Sequence, residues 1–108
     1  MSRDVMAEIK AEVESNPVLI YMKGSAMFPQ CGFSMRAASV LKDCGVEFKD
    51  INVLEDPEKW QAVKTFSDWP TIPQVYVGGE FVGGCDIVLE MHAKGELKPL
   101  VDQASSAG

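Results

Sequence analysis

Apolar positions along the chain change their spacing several times, and each change marks an element. Val5, Ile9 and Val13 recur at intervals of four, which predicts an amphipathic helix over 2–14 that stops before Asn16-Pro17. Val18-Leu19-Ile20-Tyr21-Met22 is an unbroken apolar run of strand length, the pattern of a central strand covered on both faces. Residues 24–30 show no period and contain Gly, Ser and Pro, so they predict a loop that delivers the chain to Cys31. Ala37, Ala38, Leu41 and Cys44 then return to helical spacing, predicting a helix over 33–44 that Gly45 stops. Residues 46–53 alternate well enough for a second strand.

Asp56-Pro57 has the form of an N-cap with proline at the first helical position, followed by Trp60, Val63 and Phe66 at three-residue spacing. Two short apolar runs, 74–77 and 80–82, flank Gly78-Gly79, the connection expected of a tight hairpin. A last helical region is predicted from Cys85-Asp86 to Lys94-Gly95, resuming from Leu97 towards Ala104, with residues 105–108 frayed. The predicted order is helix, strand, helix, strand, helix, hairpin, helix, without repeats or linkers. That is a small α/β layer fold, expected to form one domain over 1–108.

Composition changes this picture only by exclusion. Apolar residues make up 46% and charged residues 24% of the 108 positions, the balance of a chain that folds in water. Ten basic against sixteen acidic side chains leave a net charge of −6, and no basic cluster offsets it, so no nucleic acid is expected as a partner. The longest apolar stretch, 17–22, is too short for a bilayer, and no secretory signal core follows the first residues; no membrane partner is expected. Cys31, Cys44 and Cys85 are odd in number and widely spaced, which argues against a disulfide framework and for a reducing compartment. The cytoplasm fits, as does an organelle matrix after removal of a transit peptide.

Position singles out Cys31. At a loop-to-helix junction, unpaired N–H groups and roughly half a positive charge from the helix dipole favour an anion such as a thiolate. A free thiol with a pKa of ~8.5 is only about 3% ionised at pH 7, whereas one lowered to ~6 is mostly thiolate and can attack disulfides or bind metal. The competing reading is an inert buried cysteine. Three residues on, Ser34 stands where a dithiol motif has its second cysteine, so Cys31 cannot close a local disulfide.

Cys31-Gly32-Phe33-Ser34, with Lys23, Trp69-Pro70-Thr71-Ile72-Pro73-Gln74 and Gly83-Gly84-Cys85-Asp86, resembles the monothiol CGFS glutaredoxins over nearly the whole chain. The resemblance implies a thioredoxin-like fold, a four-stranded mixed sheet flanked by helices. It also implies a glutathione site. Lys23 would pair with the glycine carboxylate, the Ile72 backbone beside a cis-Pro73 with the cysteinyl part, and the N–H groups at Cys85-Asp86 with the γ-glutamyl carboxylate. The Asp86 carboxylate would take the ammonium, with Phe33 and Thr71 completing the set. Blander readings stand beside these: Lys23 as a solvated strand-end lysine, Asp86 as a helix cap, and Ile72-Pro73 as a rigid packing loop. Many relatives have an arginine where this chain has Trp60; Lys59 and Lys64 are the candidate substitutes, and an ammonium lacks the guanidinium fork, so altered glutathione binding is expected.

A [2Fe–2S] cluster takes four thiolate-type ligands, and Cys31 alone has a ligand's position. Two chains and two glutathione molecules complete the set, which is also the bridged homodimer that the resemblance implies, with BolA-type proteins and cluster-receiving apoproteins as partners. The loop 24–30 is longer than in dithiol relatives, and similar loops accompany cluster handling. Three other functions remain open here. One is a glutathione-dependent thiol–disulfide oxidoreductase acting through Cys31, with glutathione or Cys85 as the resolving thiol. Another is a zinc module built from the three cysteines and His92, whose spacing includes no close ligand pair. The last is an adaptor whose surface matters more than its site.

Overall fold

In the computed structural model, which describes residues 3–107, the run Val18–Met22 forms β1, and all five of its side chains are buried. Alternation explains how an unbroken apolar run can be a strand. Val18, Ile20 and Met22 enter one core with Ala37, Leu41, Val88 and Val101, while Leu19 and Tyr21 enter another with Ile9, Val13 and Val63. The strand therefore has no polar face to offer, and the sheet is covered on both sides.

The elements run α1 (Val5–Ser15), β1, α2 (Gly32–Asp43), β2 (Lys49–Asn52), a 3-10 turn (Val53–Glu55), α3 (Pro57–Ser67), β3 (Gln74–Val77), β4 (Glu80–Gly83), α4 (Cys85–Ala93) and α5 (Leu97–Ala107). The four strands lie in the order β2-β1-β3-β4. β1 and β2 are parallel, with Leu19 opposite Lys49; β3 is antiparallel to β1, with Tyr21 opposite Gln74, and β4 is antiparallel to β3. Residues of α1 and α3 fill one face, and those of α2, α4 and α5 the other. This is a mixed four-stranded sheet with flanking helices, the architecture that the resemblance implies. Among the described residues, no helix is long and apolar enough to cross a membrane.

Topology brings distant segments to one end of the sheet. The chain leaves β1 there at Lys23, and because β3 is antiparallel, residues 71–73 arrive at the same end before β3 starts. β4 finishes there too, with Gly83 opposite Val75, so α4 begins close by. A parallel β1 and β2 joined through α2 puts the α2 N-terminus at this end as well.

Three expectations need correction. The second strand is four residues long rather than eight. Val46 and Phe48 alternate like strand residues, but β1 pairs from Leu19 onward with Lys49, so no strand lies beside 46–48 and their side chains pack on the core from irregular backbone. Val53 turns away because the Asn52 side chain accepts a hydrogen bond from the Leu54 N–H at 3.0 Å and starts the 3-10 turn. The C-terminal segment does not fray after 104: α5 continues to Ala107, with the Ser106 hydroxyl donating back to the Asp102 carbonyl at 2.9 Å. The first helix starts later than expected, at Val5, since Asp4 accepts from the Ala7 N–H at 3.0 Å and caps it. Ser2 and Gly108, which were included in these expectations, lie outside the described residues.

Other expectations match. Asp56 caps α3 with Pro57 behind it, its carboxylate accepting the Lys59 N–H at 3.1 Å. Gly78 and Gly79 both take positive φ, 62° and 83°, as a two-residue hairpin turn demands. The Arg3 guanidinium also donates to Asp56, and chiefly for that reason the Asp56 carboxyl is held at about 2. Asp56→Ala should lower stability by about 1 kcal/mol, nearly all of it from the lost cap, because the pair with Arg3 is open to solvent. As the folded value lies below the unfolded one, acid should remove this contribution only as pH falls from about 4 towards the folded value. Urea titrations of both chains at neutral and acid pH measure the difference.

Candidate functional site

The residues after β1 are held by polar side chains from two other elements, α2 and β2. The Lys23 N–H donates to the Ser34 hydroxyl at 3.0 Å, and the Lys23 carbonyl accepts from the Gln30 N–H at 2.9 Å. The Gly24 N–H donates to the Asn52 side chain at 2.9 Å, and the Ala26 N–H to Asp50 at 2.8 Å. The Lys42 ammonium donates to the Ala26 carbonyl at 2.7 Å. The loop 24–30 is thus moored to β2 and α2, while Met27 and Phe28 at its tip remain exposed. Pattern reading could not have found Ser34, Asn52 or Asp50 in these roles, since each acts across the fold.

Cys31 follows this loop in extended conformation, φ −152° and ψ 136°, as the N-cap of α2, and its side chain makes no capping hydrogen bond. Its thiol is partly exposed and free. The backbone N–H of Ser34 lowers its pKa most, against the opposing effect of burial, and the Phe33 N–H, the Lys23 ammonium and the Ser34 hydroxyl add to the lowering. Cys44 and Cys85 go the other way, pushed up first by burial. The position argument for Cys31 is therefore supported by its surroundings. Cys44 belongs to the core as expected, and among the described residues no three His, Cys, Asp or Glu side chains are grouped to hold a metal ion.

Beside Cys31 lies a cleft of about 470 Å³. Lys23, Phe33, Thr71, Ile72, Cys85 and Asp86, the residues expected around a ligand, all line it. Cys31 itself is not part of the wall, but its charge is felt by Cys85, and Lys23 acts on it in turn. Ile72-Pro73 is cis as expected, and the Ile72 side chain is buried. Gly84, not Asp86, is the N-cap of α4, with no side-chain cap, so Asp86 does not serve the capping role that its position allowed.

Two further parts of the wall come from tertiary contacts. Trp60 and Lys64 of α3 line the cleft, whereas Lys59 faces away and is buried against Glu12 at 2.6 Å, which leaves Lys64 as the lysine in reach of a ligand. Gln74 is fully buried: its amide donates to the carbonyls of Trp69 and Thr71 at 3.1 and 3.2 Å and accepts from the Tyr76 hydroxyl at 3.0 Å. A buried amide with its groups satisfied fixes the segment ahead of β3 and so the shape of one wall. Trp69, quoted above only as part of a motif, closes that wall and packs against Phe81.

A lowered Cys31 pKa has a direct kinetic consequence. Iodoacetamide should alkylate Cys31 with a pH inflection below the ordinary ~8.5, because only the thiolate reacts and its fraction at neutral pH is raised. Cys44 and Cys85 should react only slowly in the folded chain. Lys23→Gln should move the Cys31 inflection upward; mass spectrometry of chains quenched at each pH reads both results.

Residues 18–82 match the glutaredoxin family model. Glutaredoxin 4 of Haemophilus influenzae is 44% identical over 103 residues, covering 95% of this chain and 96% of that protein. Mitochondrial monothiol glutaredoxin-5 of Saccharomyces cerevisiae is 45% identical over 109 aligned positions, covering 98% of this chain and 73% of that one. Among solved structures, reduced apo GrxS14 of poplar superposes with a TM-score of 0.79 at 43% identity, covering 91% of this chain and 90% of that one. A buckwheat glutaredoxin–glutathione complex gives a TM-score of 0.82 at 25% identity, covering 93% and 89%. With its lone cysteine at the head of α2, its cis-proline wall and these likenesses, the chain belongs to the glutaredoxin family, in its monothiol branch.

Proposed function

We propose that the chain binds glutathione in this cleft and, with a second copy and a second glutathione, holds a [2Fe–2S] cluster as cargo for delivery to cluster-receiving apoproteins. The observation that carries the proposal is a solitary activated thiol. Cys31 is lowered and partly exposed, while Ser34, in the place of a resolving cysteine, is buried and committed to the Lys23 N–H. One chain cannot supply four thiolate-type ligands, because Cys44 and Cys85 are buried and their thiols are raised. Two chains with two glutathione thiolates can.

The cleft supports the glutathione half of the proposal. A zwitterionic tripeptide would meet the Lys23 ammonium, the Ile72 backbone ahead of β3, the first N–H groups of α4 and the Asp86 carboxylate, with Phe33 and Thr71 in the wall. A buckwheat relative was solved as a glutathione complex. Ligands drawn partly from a small exchangeable molecule release a cluster more readily than four protein cysteines do, which suits transfer. BolA-type proteins are proposed as partners, and a reducing compartment, cytoplasm or organelle matrix, as the setting.

One observation favours a second activity, glutathione-dependent thiol–disulfide exchange: Cys31 carries a lowered, partly exposed thiol, which is also the form that attacks a disulfide. A raised, buried Cys85 is a weak attacking thiol, however, and exchange resolved by it should be slow. Anaerobic reconstitution with iron and sulfide tests the proposal. Visible absorption should develop with glutathione present and fail without it; a wild-type chain that stays colourless in both contradicts cluster binding, and turnover of a glutathionylated peptide would then leave exchange as the function.

A further inference from the structure

The methionines of the chain are not alike. Met22 is fully buried and Met91 packs against the core, whereas Met27 is 80% exposed and Met35 50% exposed. These two stand on either side of Cys31 in the chain. Met35 lies in the first turn of α2, its N–H donating to the Cys31 carbonyl at 2.9 Å. Met27 lies at the tip of the loop that leads into Cys31, and the loop is built to hold it there. The preceding residue, Ala26, is fixed from two sides, its N–H by Asp50 of β2 and its carbonyl by Lys42 of α2. The following residue, Phe28, exchanges hydrogen bonds with Ser25, its N–H donating to the hydroxyl at 3.0 Å and its carbonyl accepting from the N–H at 3.2 Å. The exposure of Met27 therefore belongs to the fold and not to a loose loop.

We propose that Met27 and Met35 are oxidation sites that govern how well a second copy of the chain docks on the face around Cys31. The proposal rests on the two-chain cluster reading above. A two-iron cluster is no wider than a side chain, so copies that share one through Cys31 must bring the surfaces around that residue together. Met27, Phe28, Phe33 and Met35 are all exposed there, an apolar surface suited to burial against its own copy. A peroxide gives one oxygen atom to a thioether: the sulfur lone pair forms the S–O bond as the O–O bond breaks, methionine is oxidised to its sulfoxide, and the peroxide is reduced to water. A sulfoxide is polar, and covering it without a hydrogen-bond donor opposes docking. A free Cys31 thiolate takes the oxidant first. Once its sulfur is engaged in a mixed disulfide, the exposed thioethers are next, and the thiols that later free Cys31 leave the sulfoxides in place.

The test starts from the mixed disulfide of Cys31 with glutathione, treats it with hydrogen peroxide, removes the peroxide and frees the thiol with dithiothreitol. Peptide mass spectrometry should find the added oxygen on Met27 and Met35 well before Met22 and Met91. Reconstituted with iron, sulfide and glutathione without oxygen, the oxidised chain should form the coloured two-chain particle about tenfold less tightly than the untreated chain, read by native mass spectrometry on dilution. A chain carrying Met27→Leu and Met35→Leu should lose nothing on peroxide treatment relative to its own untreated sample. Met6→Leu, on α1 across the sheet, should stay as sensitive as wild type. Assembly untouched by oxidation overturns the proposal and leaves the exposed face to a different partner. A double variant that loses as much as wild type overturns it as well, since the sulfoxides responsible then lie elsewhere. An untreated chain that never colours overturns the cluster reading, and this proposal with it.

Discussion

Replacing Cys31 with serine should leave a folded chain that takes up no visible colour when iron, sulfide and glutathione are supplied without oxygen. The two halves of this result have separate causes. Cys31 is the N-cap of α2 and makes no capping hydrogen bond through its sulfur, whereas serine is among the best N-cap residues. Stability should therefore hold or rise, by up to ~1 kcal/mol. Ligation, in contrast, depends on the thiolate that the Ser34 and Phe33 N–H groups and Lys23 favour, and a hydroxyl at neutral pH offers no comparable anion. Loss of colour with an unchanged or higher melting temperature separates a ligand role from a structural one. Thermal melts by circular dichroism, run beside the reconstitution, give both readings on the same material.

Gly24→Ala should be the most damaging single methyl group in the loop. Gly24 has φ +88°, and a Cβ there would lie 2.5 Å from the Phe28 carbonyl oxygen and 2.6 Å from the Gln30 nitrogen. Both obstacles are backbone, so neither can swing aside as a side-chain end would. Gly24 also bridges to Pro29, and the Gln30 N–H holds the Lys23 carbonyl, so the loop cannot open without giving up its own hydrogen bonds. Positive φ and the steric conflict together should cost about 2–3 kcal/mol, measured by urea unfolding. The damage should also reach function. Lys23 and Cys31 flank the displaced loop, so alkylation of Cys31 should lose part of its low-pH reactivity even in the chains that remain folded. A Gly24→Ala chain as stable as wild type would show that the loop relaxes far more freely than its moorings imply.

Much of the fold is legible because local pattern and tertiary demand agree. The Val18–Met22 run, the Asp56-Pro57 cap and the Gly78-Gly79 turn each declare an element by chemistry that acts within a few residues. The misread strand at 46–53 shows where this stops: alternation reports which side chains face inward, and pairing depends on where the neighbouring strand begins. The site divides in the same way. Cys31 is visible at its junction, and the quoted motifs contain the residues that the fold gathers at one end of the sheet. The supports are not visible. Ser34 reads as a missing cysteine, yet its hydroxyl accepts the Lys23 N–H and helps lower the Cys31 thiol. Gln74 and Asn52 look like ordinary polar residues until the carbonyls and N–H groups they serve come from other elements. Lys59 and Lys64 could be told apart only by knowing which face of α3 turns to the cleft.

The absence of a second thiol at Ser34 shapes the whole account. It removes the local disulfide by which a dithiol site would complete a redox cycle, and leaves an activated sulfur that needs partners from outside the chain. The composition of the coloured species tests this most directly. Native mass spectrometry of the anaerobically reconstituted protein should find two chains, two irons, two sulfides and two glutathione molecules in one particle, and no such particle from Cys31→Ser. A coloured particle without glutathione, or one whose cluster survives the loss of Cys31, would contradict the claim that Cys31 and glutathione together hold the cluster.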